Sequence, residues 1–212
     1  MKHLNTIILA IIGGICIGLG ATAYLACENK IFGGVLFTTG LFLICTRGYN
    51  LFTGKVGYLF DNKPSYIIEL VEVWAGNFIG AAFVGLVLLL TRFGDAYSEK
   101  AAAIVDAKLS GNLLSVFILG IFCNVMMYVG VDGFKNGKHD IGKYLGLFFA
   151  VLVFIFAGFE HCIANMYYIT IAKGWCADTL VLLLVSTAGN IVGGLLFPVH
   201  QKAAKACEVG KK

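Results

Sequence analysis

Charged residues are scarce in this chain. Its 16 lysines and arginines and 12 aspartates and glutamates make up 13% of 212 residues. A soluble domain carries about 25% charged residues. Hydrophobic residues account for 59% instead, and the mean hydropathy is +0.86. This shortage of charge excludes an ordinary soluble domain and predicts an integral membrane protein.

The chain also lacks the residue sets that haem, metal and redox sites need. It has four histidines, and three of them (His3, His139, His200) lie at predicted span ends or in loops. The seven cysteines include no C-x-x-C pair, and we interpret them as small buried residues rather than a disulfide framework. We therefore expect no cofactor, no metal, no nucleic-acid partner and no enzymatic activity.

Long uncharged runs define four candidate membrane spans. A transmembrane helix needs about 20 predominantly apolar residues. The runs that meet this length cover residues 4–27, 73–91, 109–131 and 179–199. We interpret the first run as a span rather than a signal peptide, because it is longer than a typical apolar signal region and an internal repeat requires it.

Two shorter uncharged runs are each interrupted by polar residues. Residues 31–46 end at Arg47, and residues 144–159 end at Glu160 and His161; each has 16 residues and is followed by a second apolar piece. Irregular backbone at membrane depth is tolerated only where protein or a cavity surrounds it. Each run is therefore predicted to be part of a broken helix.

The two halves of the chain repeat this plan. Ala-Gly-Asn-Phe-Ile-Gly at residues 75–80 matches Ala-Gly-Asn-Ile-Val-Gly at residues 188–193, 113 positions later. Three spans in each half give the halves opposite orientations, and paired broken helices point to a binding site. We predict an all-α, aquaporin-like membrane protein with six transmembrane helices in two inverted three-helix repeats. A single channel domain, residues 1–212, would contain repeats at about 4–92 and 109–200.

The positive charges predict the orientation. With the N-terminus inside, ten lysines fall on the inner side and five basic residues on the outer side, and cytoplasmic loops carry the excess of positive charge. We therefore predict a multi-pass protein of the cell membrane with both termini cytoplasmic. The ten are Lys2, Lys55, Lys63, Lys135, Lys138, Lys143, Lys202, Lys205, Lys211 and Lys212, and the five are Lys30, Arg92, Lys100, Lys108 and Lys173.

The segment at residues 157–168 carries Glu160, His161 and Asn165 into an otherwise apolar half. Ionisable groups at membrane depth mark transport pathways or proton relays by default. Histidine, with a reference pKa of about 6.5, exchanges a proton near neutral pH. A weak acid that takes up this proton avoids the cost of crossing as a charge. Alternatively, His161 ties a backbone carbonyl, Asn124 bonds neighbouring helices, and Lys108 is a solvated loop residue.

Several motifs together resemble one known family. They are Leu51-Phe52-Thr53, Cys123-Asn124, Gly158-Phe159-Glu160-His161 with Ala164-Asn165-Met166, and two Gly-Asn-x-x-Gly words. Over about residues 7–199 the chain resembles the formate/nitrite transporter family, which are pentameric, aquaporin-like channels for small monovalent anions.

This resemblance implies roles for individual residues. His161 would be the central pore histidine, Thr53 and Asn124 would line the pore, and Lys108 would draw anions into a vestibule. Apolar constrictions would involve Phe37, Leu41, Leu51, Phe52 and Phe154, and the supporting residues would be Glu160, Asn165, Asn77 and Asn190. The chain departs from the family at Arg47, near a position where formate channels carry an acidic residue.

The expected function is a membrane channel or transporter for small monovalent anions of the formate or nitrite class, with proton coupling through His161. The expected partners are the anion, the lipid bilayer and four further copies in a homopentamer. A hydrosulfide or other weak-acid channel of the same fold is the alternative. A neutral-solute pore is a weaker one, because the paired Asn-Pro-Ala words of such pores are absent from the sequence.

Overall fold

The computed structural model describes residues 1–209, and this part of the chain folds into nine α-helices and one 3-10 helix. Lys211 and Lys212, two of the residues used to predict the orientation, lie outside the described residues. The helices are α1 Lys2–Ala26, α2 Lys30–Arg47, α3 Phe52–Lys55, the 3-10 helix Val56–Asp61, α4 Tyr66–Leu89, α5 Gly94–Leu109, α6 Leu113–Asn136, α7 Asp140–Phe156, α8 Cys162–Ile171 and α9 Ala177–Val209.

Five helices are long and apolar enough to cross a membrane: α1, α2, α4, α6 and the Ala177–Cys207 part of α9. Helix α7 is shorter, at 17 residues, and α8 has 10. These helices confirm the predicted all-α membrane fold. The grouping into six spans and two inverted repeats stays a prediction.

The helical interruptions fall where the charge pattern predicts them. The first break, residues 48–51, separates α2 from α3, and the second break, residues 157–161, separates α7 from α8. Each break contains a glycine in the left-handed region, Gly48 with φ 73° and Gly158 with φ 67°. Glycine adopts this conformation without the steric penalty of a Cβ atom, so it ends the preceding helix cleanly.

The connection between the two halves is a helix, α5. Helix α5 is rich in alanine, the best helix former. Its inner side is buried through Gly94, Ala101 and Val105. Lys100 also ties it to α1 by donating to the Leu25 carbonyl at 2.9 Å. Lys108, in its last turn, therefore has a fixed position and is not a loop residue.

One buried asparagine satisfies the first break. The Asn77 amide oxygen accepts from the Phe52 N–H at 2.8 Å. Its amide nitrogen donates to the carbonyls of Ala10 at 2.7 Å and Asn50 at 2.8 Å. The side chain is fully buried. It thus replaces the helical hydrogen bonds that the break removes, which backbone at membrane depth requires.

A second asparagine does the same at the second break. The Asn190 amide oxygen accepts from the Cys162 N–H at 2.9 Å, and its nitrogen donates to the carbonyls of Gly120 and Glu160, both at 2.8 Å. The two asparagines are 113 residues apart. The three backbone groups bound by Asn190 each lie 110 residues after the corresponding group bound by Asn77, so the same bonding pattern occurs in both halves. A structural role for both asparagines requires bonds of this kind, and that role stays a prediction.

Close backbone contact surrounds both asparagines. A Cβ atom at Gly80 of α4 would overlap the Ile11 carbonyl of α1, and one at Gly193 of α9 would overlap the Ile121 carbonyl of α6. Within a bilayer, helices gain association energy mainly from such tight packing. The pairs α1–α4 and α6–α9 therefore form the two rigid supports on which the breaks rest.

We predict that Asn190→Ala strongly destabilises the protein. It strands one N–H and two carbonyls in a buried region, and each unsatisfied group costs about 1–3 kcal/mol. The measurement is the thermal transition of detergent-purified protein by fluorescence-detected size exclusion. Asn77→Ala should behave alike. Asn62→Ala, which removes one exposed side-chain bond to the Tyr58 carbonyl, should have little effect. Equal transitions for Asn190→Ala and Asn62→Ala would contradict the role described.

Candidate functional site

Two residues predicted for the pathway and two predicted for the constrictions line one cavity. This first cavity has a volume of about 360 Å³ and is bordered by helices α1, α2, α5, α6, α7 and α8. Lys108, His161, Phe37 and Phe154 all face it. Glu160 and Asn165, predicted only as structural supports, also contribute to its wall. Tyr24, Ser115 and Tyr168 line it too, and no motif marked them.

His161 joins the two breaks. Its ring is 2% exposed, and its Nε2 atom lies 3.1 Å from the Thr53 hydroxyl oxygen. Thr53 belongs to the short helix α3 after the first break, and His161 is the last residue of the second. Residues 108 positions apart in sequence therefore meet at the end of the first cavity.

The hydrogen bond at Nδ1, the second ring nitrogen of His161, determines which nitrogen of the neutral ring carries the proton. The Nδ1 atom accepts a hydrogen bond from the Ala164 N–H at 3.2 Å, so His161 caps the start of α8. An accepting Nδ1 carries no proton, which places the proton of the neutral ring on Nε2. Nε2–H then donates to the Thr53 oxygen. The Thr53 hydroxyl proton is left to be donated to another acceptor.

One phenylalanine stacks on the imidazole, and a second packs against the first. The Phe154 ring stacks on His161 with centroids 5.6 Å apart and planes 27° apart. Phe37 meets Phe154 edge to face, also at 5.6 Å. These rings make the surroundings of His161 apolar. An ion that reaches the imidazole would therefore lose most of its hydration there.

A buried ion pair occupies the wall of the first cavity. The Lys108 Nζ atom lies 2.6 Å from Glu160 Oε2, and the two side chains are 16% and 4% exposed. The same oxygen accepts from the Asn165 amide at 2.9 Å. Glu160 thus fixes the lysine through its carboxylate and binds Asn190 through its backbone carbonyl. The ammonium and the carboxylate carry single opposite charges, so the pair has no net charge.

A second cavity lies beyond Thr53. It has a volume of about 130 Å³, and its wall includes Leu51, one of the predicted constriction residues. Polar groups of Tyr49, Asn50, Lys55 and Lys135 also border it. Sequence reasoning counted both lysines only toward the orientation. Their positions at the ends of predicted apolar runs were the signal that could have singled them out.

The remaining predicted residues are buried away from these two cavities. Leu41 is in the core, and Phe52 faces an apolar groove between α4 and α9. Asn124 donates to the Asn190 carbonyl at 2.6 Å, which makes it a contact between α6 and α9. Within the described residues its amide oxygen has no hydrogen-bond partner. Arg47 is exposed in the last turn of α2.

Broken helices that meet around a buried polar contact, with a cavity on either side, are the architecture of a membrane transport protein. Residues 1–201 match the family model described as formate/nitrite transporter. The chain therefore belongs to the formate/nitrite transporter family, and the resemblance drawn from the motifs is confirmed.

Individual relatives and solved structures agree with this assignment. The chain is 31% identical over 185 residues to the uncharacterized transporter YrhG of Bacillus subtilis (strain 168), covering 80% of this chain and 69% of the relative. It is 28% identical over 209 residues to a probable formate transporter of Methanothermobacter thermautotrophicus, covering 85% and 76%. A pentameric formate channel with formate bound superposes with TM-score 0.81 and 25% identity over 97% of this chain and 98% of that chain.

We predict strong coupling between Lys108 and Glu160. Removing one partner leaves an unpaired buried charge, which costs about 3–5 kcal/mol. Lys108→Gln and Glu160→Gln should each lower the thermal transition more than the double variant does. The exposed pair Lys143–Asp140, at 3.4 Å, is the control, and its coupling should stay below about 1 kcal/mol. Additive effects at Lys108 and Glu160 would contradict the ion pair.

Proposed function

We propose that this protein conducts small monovalent anions of weak acids, of the formate class, across the bilayer. The path runs from the first cavity, past His161 and Thr53, to the second cavity. The observation that carries the proposal is the His161–Thr53 contact between the two breaks. Two similar proteins support the substrate class, since one is named a probable formate transporter and the other is a formate channel with formate bound.

The physical argument is the cost of moving a charge through an apolar passage. Phe37 and Phe154 border the first cavity beside His161, and Leu51 borders the second. In this proposal these side chains are the apolar constrictions of the route. An ionised group in such surroundings loses several kcal/mol of solvation. A weak-acid anion that binds a proton crosses this stretch as a neutral molecule. The anion and the proton therefore move together, and flux should rise as the pH falls toward the pKa of the acid.

His161 is the group that meets the acid. In its neutral form it offers the Nε2–H as a donor through Thr53. To supply a proton itself, the ring must first be protonated at Nδ1, which breaks the bond from the Ala164 N–H. That bond favours a hydrogen-bonding role, in which the proton enters from solution with the anion. The role of proton donor, which the motif suggested, is the second candidate.

The same passage would take other small weak acids. Nitrite and hydrosulfide differ from formate in size and acidity but share its single charge. A neutral-solute pore is disfavoured by the ammonium groups at both cavities, which serve no purpose for an uncharged solute. Lys108, held by Glu160, would orient an anion in the first cavity rather than attract it from a distance, because the pair is neutral overall.

The functional unit is proposed to be a homopentamer in the cell membrane with both termini cytoplasmic. The pentameric assembly of the formate channel that superposes on this chain supports the oligomeric state. Eight of the ten lysines assigned to the cytoplasmic side lie within the described residues, against five basic residues on the other side, which favours this orientation.

Substituting His161 tests the proposal in proteoliposomes with a pH gradient and labelled formate. His161→Gln keeps a side-chain donor and acceptor but cannot carry a mobile proton near neutral pH. We expect it to retain formate flux that rises at acidic pH, reduced by less than about tenfold. His161→Phe removes both hydrogen bonds and should lose most flux.

Each variant should be compared at equal reconstituted amounts of folded protein, verified by size exclusion. Loss of all pH-dependent flux in His161→Gln would mean that the ring itself carries the proton. Absence of formate flux in the wild type, with flux of another weak acid, would shift the substrate and leave the mechanism standing. Glycerol permeation without any anion flux would contradict the proposal.

A further inference from the structure

The second cavity differs from the first in the charges of its wall. The wall of the first cavity contains the Lys108 ammonium and the Glu160 carboxylate in contact. The wall of the second contains the ammonium groups of Lys55 and Lys135 and no carboxylate among its lining residues. Glu69, which lies outside this wall, pairs with Lys55, so the unpaired positive charge that an anion would meet in the second cavity is that of Lys135.

The carboxylates behind this wall are already engaged. Lys55 Nζ lies 2.9 Å from Glu69 Oε1 and donates to Asn50 Oδ1 at 3.2 Å. Asp132, one turn before Lys135 on α6, accepts from the Tyr58 hydroxyl at 3.0 Å and from the Asn136 amide at 2.8 Å. Among the side chains of residues 1–207, Lys135 forms no salt bridge.

An aromatic ring holds Lys135 beside the cavity. Its Nζ atom lies 4.4 Å from the centroid of the Tyr58 ring, which is the geometry of a cation–π contact. The Asp132 hydrogen bond fixes the Tyr58 hydroxyl, and the Tyr128 ring packs on it at 6.1 Å. A cation–π contact leaves the ammonium protons available, because the ring face accepts charge without using a carboxylate. Lys135 is thus positioned and still able to donate.

We propose that the second cavity is a binding site for a small monovalent anion, formed by the ammonium group of Lys135 with the Glu69-paired Lys55 beside it. The proposal deepens the proposed function and rests on it for the identity of the ligand. A volume of about 130 Å³ corresponds to roughly four water molecules at about 30 Å³ each. This admits an anion of three heavy atoms with a water and disfavours larger dicarboxylates.

The location of the site gives it a role in transport. The cavity wall includes Gly54, which follows Thr53 in the sequence. A bound anion would therefore lie near the contact between Thr53 and His161. From this site the anion would enter the passage on the side opposite Lys108. In the predicted orientation this is the cytoplasmic side. Loss of the site raises the half-saturating anion concentration on that side and leaves the half-saturating concentration on the other side unchanged.

Labelling of Cys45, which lines the same cavity, tests the site without any transport. Wild-type protein is treated with an anionic or a cationic thiosulfonate reagent, and modification of Cys45 is read by peptide mass spectrometry. Lys135→Gln should lower the ratio of anionic to cationic labelling by about two- to fivefold, the effect of one exposed charge. Formate should slow anionic labelling in the wild type and less in the variant.

Two matched controls separate charge at the cavity from charge at the surface. Lys138→Gln removes an exposed lysine three residues further along and should leave the labelling ratio unchanged. Tyr58→Phe keeps the ring face under Lys135, whereas Tyr58→Leu removes it, so only the leucine variant should lower the ratio. An unchanged ratio in Lys135→Gln protein that elutes as the wild type would overturn the site.

Transport supplies the second readout. Uptake of labelled formate is measured in inverted vesicles, which load from the cytoplasmic side, and in right-side-out vesicles. Lys135→Gln should raise the half-saturating formate concentration about two- to fivefold in inverted vesicles only. Equal values for variant and wild type in both preparations would overturn the proposal. A changed labelling ratio without formate transport in the wild type would keep the site and reject the proposed function.

Discussion

Hydrogen bonds from two buried asparagines make the rest of this structure possible. A helix cannot stop inside a bilayer unless its free N–H and C=O groups find partners. Asn77 and Asn190 each satisfy one N–H and two carbonyls at a break. Through one of these carbonyls Asn77 also ties α4 to α1, and Asn190 ties α9 to α6. The irregular backbone is therefore as rigid as the helices that surround it.

Rigid breaks allow polar side chains to face each other where the surroundings are apolar. His161 reaches Thr53 because the second break ends at the histidine and the first break ends just before α3. The Ala164 N–H then fixes the ring and its proton. The charges of the first cavity are cancelled locally by the contact of Lys108 with Glu160. Polar groups thus line the first cavity without leaving an isolated charge in its wall.

The sequence predicted the elements better than the contacts. Uncharged runs predicted the long helices, and Arg47 and Glu160-His161 marked both breaks, because charge is costly at membrane depth. The family resemblance suggested Lys108, His161, Phe37 and Phe154, and all four line one cavity. It did not suggest Lys135, because a lysine near a helix end is common and only the folded chain places it beside α3. Asn124 was assigned to the pore, yet its direction depends on how α6 packs against α9.

The two lysine anchors on α5, the helical connection between the halves, limit how the length of this helix can change. Lys108 lies in the last turn of α5, and Lys100 anchors the same helix to α1. Each added residue rotates the downstream part of the helix by about 100°, given 3.6 residues per turn. One inserted or deleted residue between these lysines would swing Lys108 away from Glu160. Inserting a whole turn would restore the direction of Lys108 but move it by about 5.4 Å along the axis, so length changes that keep the ion pair must lie outside the stretch between the two anchors.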